Sequence, residues 1–134
     1  MSRENVEIVR RLNAAFNESP DEPERWLSHY EEEAEFHAPR EWPEASLYRG
    51  REEIGELARI WARSFDEYRW EEERIIDAGT CVVALWKHRG RIQGSADWVE
   101  QEVGTLWFFR GERIARTLAF FSWSEALDAA GLSE

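Results

Sequence analysis

The spacing of apolar residues predicts three helices in the first half of the chain. In the first of them, Val6, Val9 and Leu12 fall on one face, and Ser2 precedes them as a residue that can cap the helix. The second begins at a capping-box sequence that starts with Ser19. The predicted helical ranges are 2–17, 19–30 and 51–68.

The second half of the chain changes to the apolar and polar alternation that is typical of strands. Four long strands are predicted there, separated by turns that contain glycine. A second capping box at Ser122 begins a C-terminal helix, which Gly131 ends. The predicted ranges are 34–38 for a short first strand, 39–50 for a loop with prolines, 69–78, 80–89, 96–110 and 113–123 for the long strands, and 125–130 for the last helix.

This order of elements predicts one α+β domain over residues 1–134. Helices that are segregated from a mostly antiparallel sheet define that class. A chain of 134 residues has the length of one hydrophobic core rather than two. No internal repeat, linker or low-complexity segment divides it.

Composition and charge narrow the classes of function. The net charge of −11 argues against binding of nucleic acid and of anionic membranes, because both need clustered Lys and Arg. No apolar run approaches the roughly 20 residues of a membrane span, and the N-terminus lacks a signal-peptide pattern. The single Cys81 suits a reducing compartment. We therefore expect a cytoplasmic protein.

Neither a metal nor a cofactor is expected. His29, His37 and His88 fall on three different predicted elements, without the short ligand spacings of zinc sites. The sequence also lacks a glycine-rich phosphate loop, a nucleophile elbow and a Cys–His pairing.

Aromatic residues are unusually frequent, with eight Trp, seven Phe and three Tyr. Side chains of this kind can fill a core, and they can also line a cavity for a flat, apolar ligand. The composition leaves both alternatives open.

Six short phrases extend across nearly the whole sequence. They are EFHAP at 35–39, EWPE at 41–44, YRGRE at 48–52, IDAG at 76–79, RGR at 89–91 and EALDAAGL at 125–132. Together with the order of elements, they resemble the SnoaL-like, ketosteroid isomerase-like branch of the nuclear transport factor 2-like superfamily. The resemblance implies a cone: a curved sheet, wrapped by three helices and a short C-terminal helix, with a pocket at its wide end.

The resemblance also implies a homodimer that pairs through the convex face of the sheet. Residues that alternate outward on the last two strands would form that face. They are Trp98, Leu106, Phe108, Leu118 and Phe120.

Alignment with the family places non-ionisable residues at its known acid and base positions. Ala38 stands where ketosteroid isomerases have their base, Leu12 near their oxyanion tyrosine and Thr105 near their protonated acid. Ala119 stands at the aspartate of limonene epoxide hydrolases. Steroid isomerisation and epoxide hydrolysis by the family's familiar residues are therefore not expected.

Strand alternation and the alignment together propose which side chains bind a ligand. The range 80–89 has an open register, in which Val83, Leu85 and Lys87 are expected to point inward and Trp86 and His88 outward. The predicted ligand-binding residues are Tyr30, Trp42, Trp61, Tyr68, Gln101, Thr105, Trp107, Thr117, Phe121 and Trp123.

One carboxylate is a candidate for acid–base catalysis. Glu41 lies in the loop at the expected mouth of the pocket, where it would act on a ligand or, alternatively, cap or solvate the loop. An enzyme of this kind would use cofactor-independent cyclase, isomerase or hydrolase chemistry.

Two functions follow from these observations. The first is a small-molecule pocket protein, similar to SnoaL-like polyketide cyclases, that binds or transforms a hydrophobic aromatic or polycyclic ligand. The alternative is a noncatalytic dimeric association module whose aromatic side chains fill its core. An open cavity would favour the first function and a filled cone the second.

Overall fold

The computed structural model describes residues 2–19, 22–43 and 46–132, and it confirms the α+β class. In chain order the elements are α1 Ser2–Glu18, α2 Glu24–Leu27, β1 Tyr30–His37, β2 Leu47–Arg49, α3 Gly50–Arg63, β3 Phe65–Asp77, β4 Val82–Ile92, β5 Trp98–Arg110, β6 Arg113–Phe120 and α4 Trp123–Ala129. The predicted caps at Ser2 and at residues 19–22 lie wholly or partly outside the described residues and side chains, so they stay predictions.

The six strands form one sheet in the order β2-β1-β6-β5-β4-β3. Only the pairing of β1 with β6 is parallel, so the sheet is mostly antiparallel, as predicted. The ladders carry register shifts within β3 and between Phe108 and Phe109 of β5. Irregularities of this kind bend a strand and increase its twist, and they curve the sheet around the helices.

Several boundaries differ from the predicted ones because long-range strand pairing decides them. Tyr30 was expected to end a helix, but it begins β1, where it pairs with Ile114 of β6. The predicted third helix ends early, since Phe65 pairs with Ile92 of β4. The short strand β2 was not predicted, and its Tyr48 pairs with β1.

Each face of the sheet has its own hydrophobic core. The inner face, which α1, α2 and α3 cover, carries Ala84 and Trp86 of β4. The outer face carries Val83 and Leu85, and α4 packs on it with Leu127. Because the first half of β4 is buried on both sides, every position from Val82 to Trp86 is apolar, and no alternation is visible there.

The expected register of β4 is wrong. Trp86 and His88 belong to the inner face, because they lie opposite Val103 and Gln101 of β5, and opposed residues share a face. Val83 and Leu85 point outward instead, and so does Lys87, whose ammonium lies 6.0 Å from the Trp123 ring centroid. Alternation separates the two faces of a strand, but a strand that is buried on both sides gives no local signal of which face is inner.

The C-terminal helix begins as the capping box predicts. The Ser122 hydroxyl accepts a hydrogen bond of 3.2 Å from the Glu125 backbone N–H. The helix covers Leu106, which is fully buried. From the sequence, Leu106 was instead expected to form part of an exposed outer face. Phe108, Leu118 and Phe120 are half-buried around the same core.

The close approach of α4 to the sheet depends on Gly104. A methyl group at this position would overlap with the Ala126 side chain. We expect Gly104→Ala to destabilise the fold by about 1–3 kcal/mol, the usual cost of overpacking a core. Urea denaturation measures this free energy. In an Ala126→Gly background the same change should cost much less, and equal costs in the two backgrounds would contradict the contact.

Candidate functional site

A cavity of about 160 Å³ lies between the helices and the inner face of the sheet. Its wall is almost wholly apolar, and no described residue that lines it carries a charge. Six of the chain's eight tryptophans contribute: Trp26, Trp42, Trp61, Trp70, Trp86 and Trp107. Phe16, Tyr30, Phe36 and Phe121 complete the aromatic part of the wall.

Regular spacing on each element directs these side chains to the cavity. On α3 the lining residues are Ile54, Leu57, Ala58 and Trp61, which form one helical stripe. On β5 every second residue from Val103 to Trp107 lines the wall, as a period of two requires.

The aromatic rings of the wall support one another around Trp61. Its ring centroid lies 5.5 Å from that of Trp42, 6.0 Å from that of Trp70 and 6.4 Å from that of Phe121. Contacts at these distances fix the ring planes, since aromatic pairs prefer tilted and edge-to-face geometries. The ring contacts around Trp61 therefore connect the aromatic side chains of the wall to one another.

Tyr30 is a polar group at the base of this wall. Burial raises the pKa of its hydroxyl, and hydrogen bonds with Thr117 and Trp107 oppose that shift. The hydroxyl therefore remains protonated at neutral pH. It can donate or accept a hydrogen bond, but it is not a base.

His88 lies behind the wall in a box of aromatic rings. The centroids of Trp70, Phe65 and Trp61 lie 4.6, 4.8 and 4.9 Å from that of its imidazole. The side chain is buried, and its Nε2 has no hydrogen-bond partner among the described residues. Burial lowers the pKa of His88 to about 4, so the ring is neutral at pH 7. Its predicted outward direction concealed this residue from the sequence analysis.

The structure brings six of the ten predicted ligand-binding residues into the cavity wall. They are Tyr30, Trp42, Trp61, Thr105, Trp107 and Phe121.

Two of the other four are engaged in structural contacts near the end of β6. Gln101 donates hydrogen bonds to the backbone carbonyls of Glu102, at 3.1 Å, and Phe121, at 3.2 Å. Trp123 packs with the outer core and donates to the Trp86 carbonyl at 2.8 Å. Trp123 was expected to continue the alternation of β6, but that strand ends at Phe120 and the chain turns into α4.

The remaining two do not line the cavity either. Thr117 is fully buried, and it is not among the residues that line the cavity. Tyr68 lies beside His88, with its ring centroid 5.8 Å away, and borders a shallow surface depression that also contains Arg69 and Trp98.

Glu41 lies outside the cavity. Its carboxylate is exposed and sits 3.7 Å from the Arg40 guanidinium. Arg40 also donates a hydrogen bond of 2.7 Å to Glu125, which connects the loop to α4. These surroundings favour the alternative expectation, that Glu41 solvates the loop, over the expectation that it acts as an acid or base on a buried ligand.

The four positions that the alignment compared with family acids and bases all face the cavity. Leu12, Ala38, Thr105 and Ala119 line it. None of these side chains can exchange a proton at neutral pH. The cavity wall therefore has no ionisable side chain at the positions that the alignment compared with the family's acids and bases.

The described part of the chain contains no group of three His, Cys, Asp or Glu side chains that could hold a metal ion. No helix within the same residues has the length and apolar character to cross a membrane.

Comparison with known proteins identifies similar folds. Residues 9–117 match the SnoaL-like domain. No curated protein matches the sequence.

Among solved structures, a nuclear transport factor 2-like protein of unknown function from Burkholderia pseudomallei has 17% identity and a TM-score of 0.78 over 93% of this chain and 95% of its own. TerC, co-crystallised with polyporic acid, has 17% identity and a TM-score of 0.75 over 96% and 98% of the two chains. A Catenulispora acidiphila protein with a ketosteroid isomerase-like fold, in complex with trimethylamine, has 20% identity and a TM-score of 0.69 over 90% and 92%.

Stability should depend on pH through His88. The fold favours the neutral imidazole, whose pKa is 6.5 when unperturbed and about 4 here. Its contribution is therefore full above pH 6.5 and is lost as the pH falls toward 4, by up to about 3 kcal/mol. Urea denaturation from pH 7 to pH 4 should show wild type losing more free energy of unfolding than His88→Gln, which retains every carboxylate. Parallel losses in the two proteins would show that His88 is not desolvated.

Proposed function

The chain belongs to the SnoaL-like domain family, and from that premise we propose that it binds a small hydrophobic molecule with an aromatic or polycyclic skeleton. The observation that carries the proposal is the cavity itself. Its volume of about 160 Å³ is open, and tryptophan, phenylalanine and tyrosine rings form half of its lining residues. A flat apolar molecule gains the burial of both faces in such a wall.

Two neighbours in the structure comparison support a small-molecule ligand for a protein of this fold. TerC was crystallised with polyporic acid and the Catenulispora acidiphila protein with trimethylamine. Both share the fold over at least nine-tenths of this chain.

Chemistry on the ligand, of the kind found in polyketide cyclases, is a further step of the proposal. The described wall offers no carboxylate, and His88 lies behind the wall with a pKa of about 4. Tyr30 could polarise a ligand oxygen as a hydrogen-bond donor, because burial keeps its hydroxyl protonated. Binding of an apolar ligand requires no carboxylate and no basic imidazole. We therefore propose ligand binding as the primary function, ahead of catalysis.

The alternative function, an association module with a filled core, conflicts with an open cavity. Apolar voids of this size are costly to stability, and proteins keep few of them. The unfilled volume therefore favours a ligand over a structural role for the aromatic wall.

Reducing the volume of the cavity should weaken ligand binding without unfolding the protein. Ala58 lines the cavity from α3, and Ala58→Leu would occupy part of its volume. We expect the affinity for a bicyclic hydrocarbon such as tetralin, measured by titration calorimetry, to fall by about tenfold or more. Ala14→Leu is the matched control, since Ala14 is an exposed position of α1. If both variants bind tetralin like wild type, the cavity is not the binding site.

We also propose that the protein forms a homodimer through the outer face of the sheet. Trp98 is 50% exposed there, an unusual position for a large apolar side chain. Phe108, Leu118 and Phe120 are half-buried apolar residues that pack around α4 on this face.

Light scattering should give twice the chain mass of 15.8 kDa at micromolar concentration. Trp98→Lys should shift the protein toward the monomer, because it places a charge in the interface. Leu47→Lys, at an exposed position on the edge strand β2, should not. A monomeric wild type would refute this assembly.

A further inference from the structure

The exposure of the lining residues shows where the cavity meets solvent. Lining residues such as Leu12 and Trp107 are buried, so they lie at its base. Four lining rings are instead half-buried, and all four belong to one cluster: Trp42, Trp61, Trp70 and Phe121. These rings lie between the cavity and solvent, and they form its mouth.

The four rings of the mouth differ in how firmly the backbone holds them. Trp61 is carried by α3, and Trp70 by β3 in its ladder with β4. Trp42 lies in the connection between β1 and β2, and Phe121 in the connection between β6 and α4. Irregular segments can move with less loss of hydrogen bonding than helices and paired strands. The mouth can therefore open at Trp42 or at Phe121.

The Phe121 side of the mouth is fixed to the sheet by three hydrogen bonds. Gln101 donates to the Phe121 carbonyl at 3.2 Å. The Trp123 backbone N–H donates to the Glu102 carboxylate at 3.2 Å, and its indole donates to the Trp86 carbonyl at 2.8 Å. Opening on this side would disrupt these bonds, so Trp42 is the ring that can move.

Trp42 belongs to residues 40–43, which we call the gate segment. Within the described part of the chain, two side-chain hydrogen bonds join this segment to other elements. Trp42 Nε1 donates to the Tyr48 hydroxyl at 3.0 Å, and Arg40 donates to the Glu125 carboxylate at 2.7 Å. Glu125 follows Phe121 by four residues, so the second bond connects the two sides of the mouth. An exposed ion pair of this kind is weak enough to break and re-form readily.

We propose that the gate segment opens and closes the cavity, with Trp42 as the closing ring and the Arg40–Glu125 ion pair as the contact that breaks when a ligand enters or leaves. The proposal rests on the binding function above and concerns access to the same site. Closure keeps water away from an apolar ligand. Because the ion pair breaks on opening whether the cavity is empty or filled, it slows entry and release equally and leaves the affinity unchanged.

Stopped-flow tryptophan fluorescence with tetralin and the full chain measures both rate constants. Arg40→Gln should raise the association and dissociation rate constants by about threefold each, with the Kd within about twofold of wild type. Glu125→Gln should have the same effect. The double variant should be no faster than either single variant, because the two residues form one contact.

Arg110→Gln is the matched control. Arg110 is as exposed as Arg40, at 77% against 76%, and it pairs with Glu31 at 3.2 Å. Neither Arg110 nor Glu31 lines the cavity, so this variant should leave the rates unchanged.

Two further measurements address the same gate independently. Tyr48→Phe removes the acceptor of the Trp42 indole from a residue that does not line the cavity, and it should also accelerate binding and release by about threefold. Salt raised from about 0.02 M to about 0.5 M should accelerate wild type and leave Arg40→Gln unchanged, because it screens an exposed ion pair and tetralin is neutral.

The outcomes separate the gate from the binding function. Wild-type rates in Arg40→Gln, Glu125→Gln and Tyr48→Phe would overturn the gate, while tetralin binding would stand. Equal acceleration by Arg110→Gln would also overturn it, since any lost surface ion pair would then have the same effect. If wild type does not bind tetralin at all, the binding function is contradicted, and the gate with it.

Discussion

The packing of Trp61 against its neighbours is the interaction on which the site depends. Its ring, carried by α3, contacts Trp42 from the loop, Trp70 from β3, His88 from β4 and Phe121 beyond β6. One side chain thus connects four separate segments of the chain. These contacts hold the rings in tilted and edge-to-face arrangements around the cavity.

The sheet must be held on both sides for this wall to keep its shape. Helix α4 provides the outer support, and it can approach β5 closely only because Gly104 has no side chain opposite Ala126. The Ser122 cap and the pairing of Arg40 with Glu125 hold the same helix in place. The same support buries Leu106 and so reduces the apolar surface available to a second subunit.

The chemistry of the cavity follows from what its location excludes. Charged side chains stay at the surface, as Glu41 and Arg40 do, because an unpaired charge in this wall would lose its solvation. The one imidazole beside it, His88, is neutral for the same reason. The remaining polar groups are weak hydrogen-bonding ones: an amide, hydroxyls and indole N–H groups. Such a wall can orient a ligand, and it has little means of moving a proton.

The sequence by itself determined the class of fold, most elements and the aromatic character of the site, because periodicity and capping are local signals. It placed Trp61 in the wall from helical spacing, and Trp107 from strand spacing together with the family alignment. Only the tertiary structure decided the face of β4, and with it the position of His88, since a strand that is buried on both sides has no alternation to read. The start of β1 at Tyr30 likewise depended on a distant partner, Ile114 of β6. The position of Glu41 outside the cavity depended on the contact that Arg40 makes with α4. Contacts between residues far apart in sequence leave no local pattern, so only the folded chain shows them.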